Sequence, residues 1–280
     1  MLTARAWLKV KQFAQPYLSR FGRTLIEQGA RLVRFSKVEE KELPLIKRYT
    51  GGCESVLDCC IAYNEHGGYC VPLSSRQRPV AQRILQGEVH EKDTIEYIAE
   101  VCGKGDIVHA GAYFGDFIPA LSRQCSDEAT VWAFEPNPEN YRCAEITTMI
   151  NRLENVKLYN AALGSSDSHA ALRVENVLGG SVGGNSSVES NPSTEGRVVN
   201  SRLVRVDDIV PDERTISVLQ LDVEGFERQA LSGSIETINR CKPAIILENK
   251  PDDEWMNRNI LSIGYKCKGM VGHNYVFEVY

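Results

Sequence analysis

A glycine-containing turn followed by a strand-end acid is the pattern in this sequence that predicts chemistry most directly. An apolar segment begins at Asp106 and runs into a turn that contains Gly111 and Gly115, and a second apolar segment ends at Glu135. In open parallel sheets, a glycine turn after one strand and a carboxylate after the next bind a cofactor that carries a ribose. The pattern therefore predicts a nucleoside site at the carboxyl ends of two neighbouring strands.

The spacing of the two glycines indicates which cofactor is bound. Dinucleotide-binding folds use Gly-x-Gly-x-x-Gly, because a pyrophosphate must lie against bare backbone at a helix N-terminus. Here three residues separate Gly111 from Gly115, and the bulky Tyr113 and Phe114 are among them. This turn leaves little room for two phosphates but can accept the amino-acid end of S-adenosylmethionine, which favours a methyltransferase.

Each part of the predicted site has its own role. Glu135 accepts both ribose hydroxyls, and the turn leaves helix N–H groups for the methionine carboxylate. His109, at the end of the first strand, faces either the cofactor or the core, whereas Asn160 either pairs with adenine or forms a turn. Glu91 and Thr94 are predicted to close over the cofactor. The candidate cofactor-binding residues are Glu91, Thr94, His109, Gly111, Ala112, Tyr113, Gly115, Glu135, Pro136, Asn160, Ala161 and Asp222.

A third apolar segment ends in two acids, Asp222 and Glu224. If the strand continues that far, residues at i and i+2 point to the same side, and both carboxylates face the transferred methyl group. Enzymes that methylate base or amide nitrogens often carry Asn/Asp-Pro-Pro-Tyr/Phe at this point. This sequence has Asp-Val-Glu-Gly there, which favours oxygen as the accepting atom.

An alcohol acceptor must lose a proton, so the site needs a base. The candidate catalytic residues are Asp222, Glu224, Glu248 and His273. An antiparallel last strand would bring His273 back to the same rim, and histidine titrates near neutral pH. A divalent metal held by Asp222 and Glu224 is the alternative way to activate the hydroxyl, and it is not favoured.

Composition limits the acceptor and the compartment. The net charge is −5, yet residues 1–50 hold 11 Lys and Arg against 4 Asp and Glu, and the other 230 residues hold 21 against 33. Such an acidic body is a poor partner for nucleic acid, so the expected acceptor is a small molecule or a glycan. The nine cysteines include no C-x-x-C pair. They indicate reduced thiols and a cytoplasmic protein.

Residues 1–50 form a basic extension with apolar residues at helical spacing from Trp7 to Leu25, and residues 51–280 form the methyltransferase domain. Four interpretations of the extension remain open: a membrane-surface helix, an organellar transit segment, a cap on the active site, or packing on the domain or on a second subunit in a homo-oligomer. No apolar segment approaches the roughly 18 residues that a membrane span needs. A secretory signal is not expected.

The remaining patterns predict a hairpin over 58–73 and a helix over 91–102. Strands are predicted near 106–110, 130–135, 156–162, 216–223, 244–247, 264–270 and 274–280. A helix is predicted to begin at Asn137-Pro138, where an N-cap residue precedes proline. A Gly/Ser-rich stretch at 179–187 interrupts an added hairpin and is either a loop tip or a mobile lid.

Taken together, these motifs resemble the FkbM family of methyltransferases over residues 88–280. The resemblance rests on the runs Asp106–Asp116, Ala133–Asn137, Asn160–Gly164, Val206–Ile209, Leu221–Glu227 and Pro243–Glu248. It implies an α/β, Rossmann-like class I methyltransferase fold with a seven-stranded sheet, and O-methylation of sugars, glycans or secondary metabolites. Many members have an acid where His109 stands and Asn where Tyr113 stands. Two alternatives remain: an NAD-dependent oxidoreductase and a non-catalytic S-adenosylmethionine-binding protein.

Overall fold

A seven-stranded sheet is the centre of the computed structural model, which describes residues 33–35, 57–174, 187–189 and 197–279. Its strands, in spatial order, are β13 (Tyr265–Val271), β14 (Asn274–Val279), β12 (Ala244–Leu247), β11 (Ile216–Leu221), β4 (Asp106–Ala110), β5 (Val131–Phe134) and β6 (Val156–Tyr159). Neighbours from β12 to β6 are parallel, and β14 is antiparallel to both β12 and β13. The predicted mostly parallel sheet with an antiparallel last strand is confirmed.

The winding of the sheet reverses at β4, which lies between β11 and β5. Every residue of β4 and β5 is buried, because helices cover both faces of the sheet. Open sheets of this type bind ligands outside the carboxyl ends of the strands, where the strand order reverses. The carboxyl ends of β4, β5 and β11 therefore define the place where a site is expected.

Helices connect most of the strands, and the helix predicted over 91–102 is observed at Lys92–Val101. Those of the described residues are α1 (Pro79–Leu85), α2 (Lys92–Val101), α3 (Ile118–Gln124), α4 (Pro138–Asn151), α5 (Val206–Ile209), α6 (Glu227–Ser232), α7 (Ile235–Cys241) and α8 (Asp253–Asn259), with 3₁₀ turns at Leu73–Ser75 and Leu261–Ile263. The predicted start of α4 is confirmed, since the Asn137 side chain caps it by accepting the N–H of Glu139 at 3.0 Å.

Two smaller sheets flank the main one. The first orders β1 (Val33–Phe35), β2 (Cys59–Asn64) and β3 (Gly67–Pro72), and the second orders β7 (Ala162–Leu163), β10 (Val198–Val204), β8 (Ser168–Arg173) and β9 (Ser187–Glu189). The β2–β3 hairpin was predicted, and so was the antiparallel pairing of β8 with β10 around the Gly/Ser-rich stretch. The sequence did not predict that Ala162 leaves the strand at 156–162 and joins another sheet.

Several predictions fall on residues that the structure does not describe. These include the N-terminal helical pattern from Trp7 to Leu25 and almost all of the Gly/Ser-rich stretch. Within the predicted helical extension, Val33–Phe35 instead forms β1 and pairs with β2. Within the described ranges, no helix has the length and apolar character that crossing a membrane requires.

Candidate active site

The turn after β4 brings the backbone of two strands into close contact. Gly111 has φ +86°, and a Cβ added there would lie 1.8 Å from the carbonyl oxygen of Asp222. Asp222 in turn donates its N–H to the carbonyl of Ala110 at 3.0 Å. Only glycine allows this approach, so Gly111 lets the backbone at the end of β4 lie against the backbone at the end of β11.

Glu135 organises the same turn. Tyr113 has φ +48°, an uncommon conformation for a bulky residue, and its N–H donates to Oε2 of Glu135 at 2.7 Å. Oε1 accepts the N–H of Asn137 at 2.8 Å and the side-chain amide of Asn140 at 3.4 Å. Burial raises the pKa of Glu135 to about 8. The strand-end acid is thus held in one orientation at the wall of a cleft.

That cleft has a volume of about 420 Å³, its open mouth included, and lies at the carboxyl ends of β4, β5 and β11. Its lining consists of Ala110, Gly111, Phe134, Glu135, Pro136, Ala161, Ala162, Leu163, Asp222, Val223, Glu224 and Phe226. Six of these residues were named as site residues from the sequence: Gly111, Glu135, Pro136, Ala161, Asp222 and Glu224. The apolar remainder was missed, because side chains that line a cleft and side chains that fill a core have the same residue types.

Glu91 and Thr94 contact the start of β14, which lies beside the carboxyl end of β12. The side-chain amide of Asn274 donates to Glu91 at 2.7 Å and to the hydroxyl of Thr94 at 3.1 Å, and that hydroxyl donates to Glu91 at 3.1 Å. The predicted return of the last strand to the rim is therefore observed for Asn274. His273 lies beside it, exposed and outside the cleft lining, so its role as a base stays a prediction.

His109 belongs to the core. Only 2% of the residue is exposed, its Nδ1 is hydrogen-bonded to Oε1 of Gln220, and its ring stacks on Phe117 with centroids 5.3 Å apart. Burial lowers the pKa of His109 to about 4, so the ring is neutral at physiological pH. The ring therefore faces inward, and a contact of its buried, unpartnered Nε2 with the cofactor stays a prediction.

Asp116 was not named from the sequence as a site residue, although it ends the glycine-turn motif. Its side chain is buried two residues before α3, and burial together with the charge of Glu91 raises the pKa of Asp116 to about 7. Asp116 directly follows the turn Gly111–Gly115, called the cofactor turn below. A buried acid in this place is a candidate partner for a cationic group.

Asn160 stabilises the loop that carries Glu135. Its side-chain amide donates to the carbonyl of Glu135 at 2.8 Å and to that of Pro136 at 3.2 Å. Of the two interpretations offered by the sequence, the structure shows the turn-forming contacts. A contact with adenine stays a prediction. The side-chain oxygen of Asn160 would have to make it, because the side-chain nitrogen already donates to the two carbonyls.

Three carboxylates meet at the ends of β11 and β12. Ligand atoms of Asp222, Glu224 and Glu248 all lie within 4.8 Å of one another. The strand predicted near 216–223 ends at Leu221 and Glu224 has φ +53°, so the condition that the strand continue through both acids is not met. A left-handed turn, and not strand alternation, therefore brings the carboxylates together.

Crowding perturbs these acids. Burial and then the neighbouring Glu248 raise the pKa of Asp222 well above its ordinary value, and the same two causes raise the pKa of Glu224 to about 7. The charges of Glu224 and Glu91 act on Asp222 in the same direction. Such spacing also suits the oxygen ligands of a divalent cation. The cluster can therefore hold a proton, attract a cation or accept a hydroxyl proton near neutral pH.

The residues of the cleft fit S-adenosylmethionine. Glu135 has about four acceptor positions and uses three, so its carboxylate retains capacity for a ribose hydroxyl. Phe134, Ala161 and Leu163 provide an apolar wall for a base. The surrounding carboxylates suit a ligand whose sulfonium and ammonium groups are positive. Fold and site together define a class I methyltransferase, for which S-adenosylmethionine is the expected methyl donor.

The chain belongs to the family of the methyltransferase FkbM domain, whose family model matches residues 109–267. No curated protein sequence matches it. Among solved structures, it is similar to the methyltransferase FkbM from Methylobacillus flagellatus KT, with 18% identity, a TM-score of 0.43, and coverage of 71% of this chain and 52% of that one. The chain thus spans about half the length of that protein.

Two further solved structures are similar to this chain. A SAM-dependent methyltransferase from Aquifex aeolicus has 14% identity, a TM-score of 0.38, and coverage of 69% of this chain and 89% of that one. A methyltransferase from Geobacter sulfurreducens also has 14% identity, with a TM-score of 0.41 and coverage of 68% and 78%.

Proposed function

We propose that this methyltransferase transfers the methyl group of S-adenosylmethionine to a hydroxyl oxygen of a sugar, glycan or secondary metabolite. The observation that carries the proposal is the meeting of Asp222, Glu224 and Glu248 beside the cofactor cleft. A neutral hydroxyl is a weak nucleophile and needs a carboxylate near it to take its proton. Two or more carboxylates can also accept hydrogen bonds from neighbouring hydroxyls of a sugar-like acceptor.

Glu224 is the base in this proposal. It lines the cleft, is half-buried, and has a pKa raised to about 7 by burial and by Glu248, which suits proton abstraction near neutral pH. Asp222 lies deeper, and burial and Glu248 favour its protonated form. Asp222 and Glu248 therefore bind the acceptor, and Glu224 removes its proton.

The cofactor has a separate set of contacts. When bound, it supplies an electrophilic methyl group on a positively charged sulfur. Glu135 orients the ribose, the turn at Gly111 lets the donor approach the strand ends, and Glu91 and Asp116 attract the amino group of the methionine. Alignment of the donor with the acceptor hydroxyl accounts for much of the rate in a displacement of this kind.

Calorimetry with S-adenosylhomocysteine tests the cofactor site. We expect wild-type protein to bind it and Glu135→Gln to bind about tenfold more weakly, because the amide nitrogen of glutamine cannot accept the hydrogen bonds that both oxygens of Glu135 accept. Asp167→Asn is a matched control, since Asp167 forms an exposed ion pair with Arg202 on another sheet. The absence of a binding heat for the wild type would contradict the proposal.

Transfer of a labelled methyl group tests catalysis. Label should appear in pools of glycans or small hydroxylated metabolites and should be stable to the mild treatments that cleave methyl esters. Binding of S-adenosylhomocysteine without any transfer would support the non-catalytic alternative. Label that appears in RNA or DNA would contradict the expectation that the acidic body avoids nucleic acid.

A metal-assisted reaction is the second candidate mechanism, favoured by the oxygen spacing of Asp222, Glu224 and Glu248. Transfer assays with a chelator and then with added Mg²⁺ separate the two mechanisms. Under our proposal the chelator leaves the rate unchanged.

Cytoplasmic location and contact with a membrane surface or a second subunit also stay proposals. The basic charge of residues 1–50 supports attraction to anionic lipid. Co-sedimentation of the full chain with vesicles, with and without an anionic lipid, measures that attraction, and sedimentation velocity measures the oligomeric state.

A further inference from the structure

The β2–β3 hairpin and the cofactor turn are both hydrogen-bonded to one buried side chain, that of Thr147. β3 is an edge strand of the small sheet, and α4 packs along it. Two α4 side chains one helical turn apart satisfy the backbone of this edge. Asn151 bonds both the N–H and the carbonyl of Gly68, at 3.0 and 2.6 Å, and Thr147 accepts the N–H of Cys70 at 2.9 Å.

Thr147 differs from Asn151 in its second contact. Its hydroxyl donates to the carbonyl of Phe114 at 2.9 Å, inside the turn that joins β4 to α3. Its methyl group would lie 3.1 Å from a Cβ added to Gly115, so the side chain packs directly on the turn. Thr147 is fully buried, and no water can replace its hydroxyl without a rearrangement.

The turn needs such support because three of its residues, Gly111, Tyr113 and Gly115, have positive φ. Tyr113 at +48° and Gly115 at +86° flank Phe114, whose carbonyl Thr147 holds. Glu135 bonds the N–H of Tyr113 from the opposite side. The turn is therefore fixed between the ribose-binding acid and the threonine.

We propose that Thr147 is a positioning residue for the cofactor turn, which it also links to the β2–β3 hairpin. This inference rests on the proposed function. Thr147 does not touch the cofactor; it holds the backbone that does.

Thr147→Val keeps the shape of the side chain and removes the hydroxyl. We expect its dissociation constant for S-adenosylhomocysteine and its KM for S-adenosylmethionine to rise about tenfold, with kcat within about twofold of wild type. Thr147→Ser restores the hydroxyl and should return both constants to within about twofold of wild type. Affinity unchanged in Thr147→Val would overturn the proposal.

Asn151→Ala is the matched control, because it loosens the same hairpin from α4 without touching the turn. It should lower the melting temperature as Thr147→Val does and leave the affinity unchanged. An equal loss of affinity in both variants would show that Thr147 acts only through general stability, which would overturn the proposal. Failure of the wild type to bind S-adenosylhomocysteine would instead contradict the proposed function.

Hydrogen exchange can be measured on the wild-type protein, so this test does not depend on whether a variant folds. If binding orders the turn, it should also order Thr147, by the reciprocity of coupled equilibria. The Cys70 amide, which donates to Thr147, should then exchange at least about threefold more slowly with S-adenosylhomocysteine bound, and the Gly68 amide should not change. Equal effects on both amides, or none on Cys70, would overturn the proposal.

Discussion

The main sheet has an amino edge, where its parallel strands begin, and a carboxyl edge, where they end. Buried carboxylates at these two edges have opposite surroundings. At the amino end of β4, Asp106 accepts the N–H of Thr130 and the indole N–H of Trp132, each at 2.8 Å, and forms an ion pair with Arg214. At the carboxyl end, Asp222, Glu224 and Glu248 face one another within 4.8 Å. The first edge neutralises its charge, and the second concentrates charge of one sign.

This difference separates stability from function within one sheet. A buried acid that has an arginine and two N–H donors as partners has its charge and its hydrogen bonds satisfied without any ligand. Acids that raise each other's pKa destabilise the folded state when they are all ionised, and a proton, a cation or a positively charged donor relieves the repulsion. The carboxyl edge is thus arranged for a ligand, as expected of the active edge of a parallel sheet.

The largest expected effect is on turnover. Glu224→Gln should lower kcat by about 10²- to 10⁴-fold, because it removes the base while keeping the shape of the side chain. Binding of S-adenosylhomocysteine should stay within about twofold of wild type, since Glu224 lies on the acceptor side. A methyl-transfer assay and calorimetry on the same preparation measure both, and a variant of undiminished rate would exclude Glu224 as base.

The next effect concerns the opposite edge. Asp106→Asn leaves the Arg214 guanidinium without its carboxylate and should lower the free energy of unfolding by about 3 kcal/mol. Denaturant unfolding measures this loss. The folded fraction should bind S-adenosylhomocysteine as tightly as wild type, because Asp106 lies at the far end of β4; a large loss of affinity would contradict the separation of the two edges.

The pH dependence of turnover sharpens the role of the carboxyl edge. Only the ionised carboxylate of Glu224 accepts a proton, and its pKa is raised to about 7. kcat/KM should therefore fall about tenfold per unit below pH 7 and level off above it. The residual rate of Glu224→Gln should lack this ascending limb, and a wild-type profile that is flat from pH 5.5 to 8.5 would argue against the assignment.

The smallest effect is a gain in stability. Burial and Glu248 raise the pKa of Asp222 above its unfolded value of about 3.9, so the folded state binds more protons and loses stability as pH rises past that value. Asp222→Asn removes this dependence and should unfold about 3 °C higher than wild type at pH 8. Little difference is expected at pH 4. A lower melting temperature for the variant at pH 8 would show that the ionised carboxylate is satisfied.

The strand-end rule predicted Glu135 and His109 from similar positions, yet only one reaches the cleft. Both follow from apolar segments that are buried on two faces, and in such strands alternation does not indicate which side a residue faces. Glu135 lies one residue past β5, where the chain is free to turn, whereas His109 is within β4 and bonds to Gln220 of the adjacent strand. The neighbouring strand therefore decided the orientation of His109.

By itself, the sequence determined the parallel sheet, its antiparallel last strand, the glycine turn and the acids at the strand ends, because those features depend on local residue types and spacing. Only the tertiary structure decided that Ala162 joins a second sheet, that a left-handed turn gathers Asp222 and Glu224, and that Thr147 links a hairpin to the cofactor turn. Each of these depends on contacts between segments far apart in the chain, whose packing no local pattern encodes.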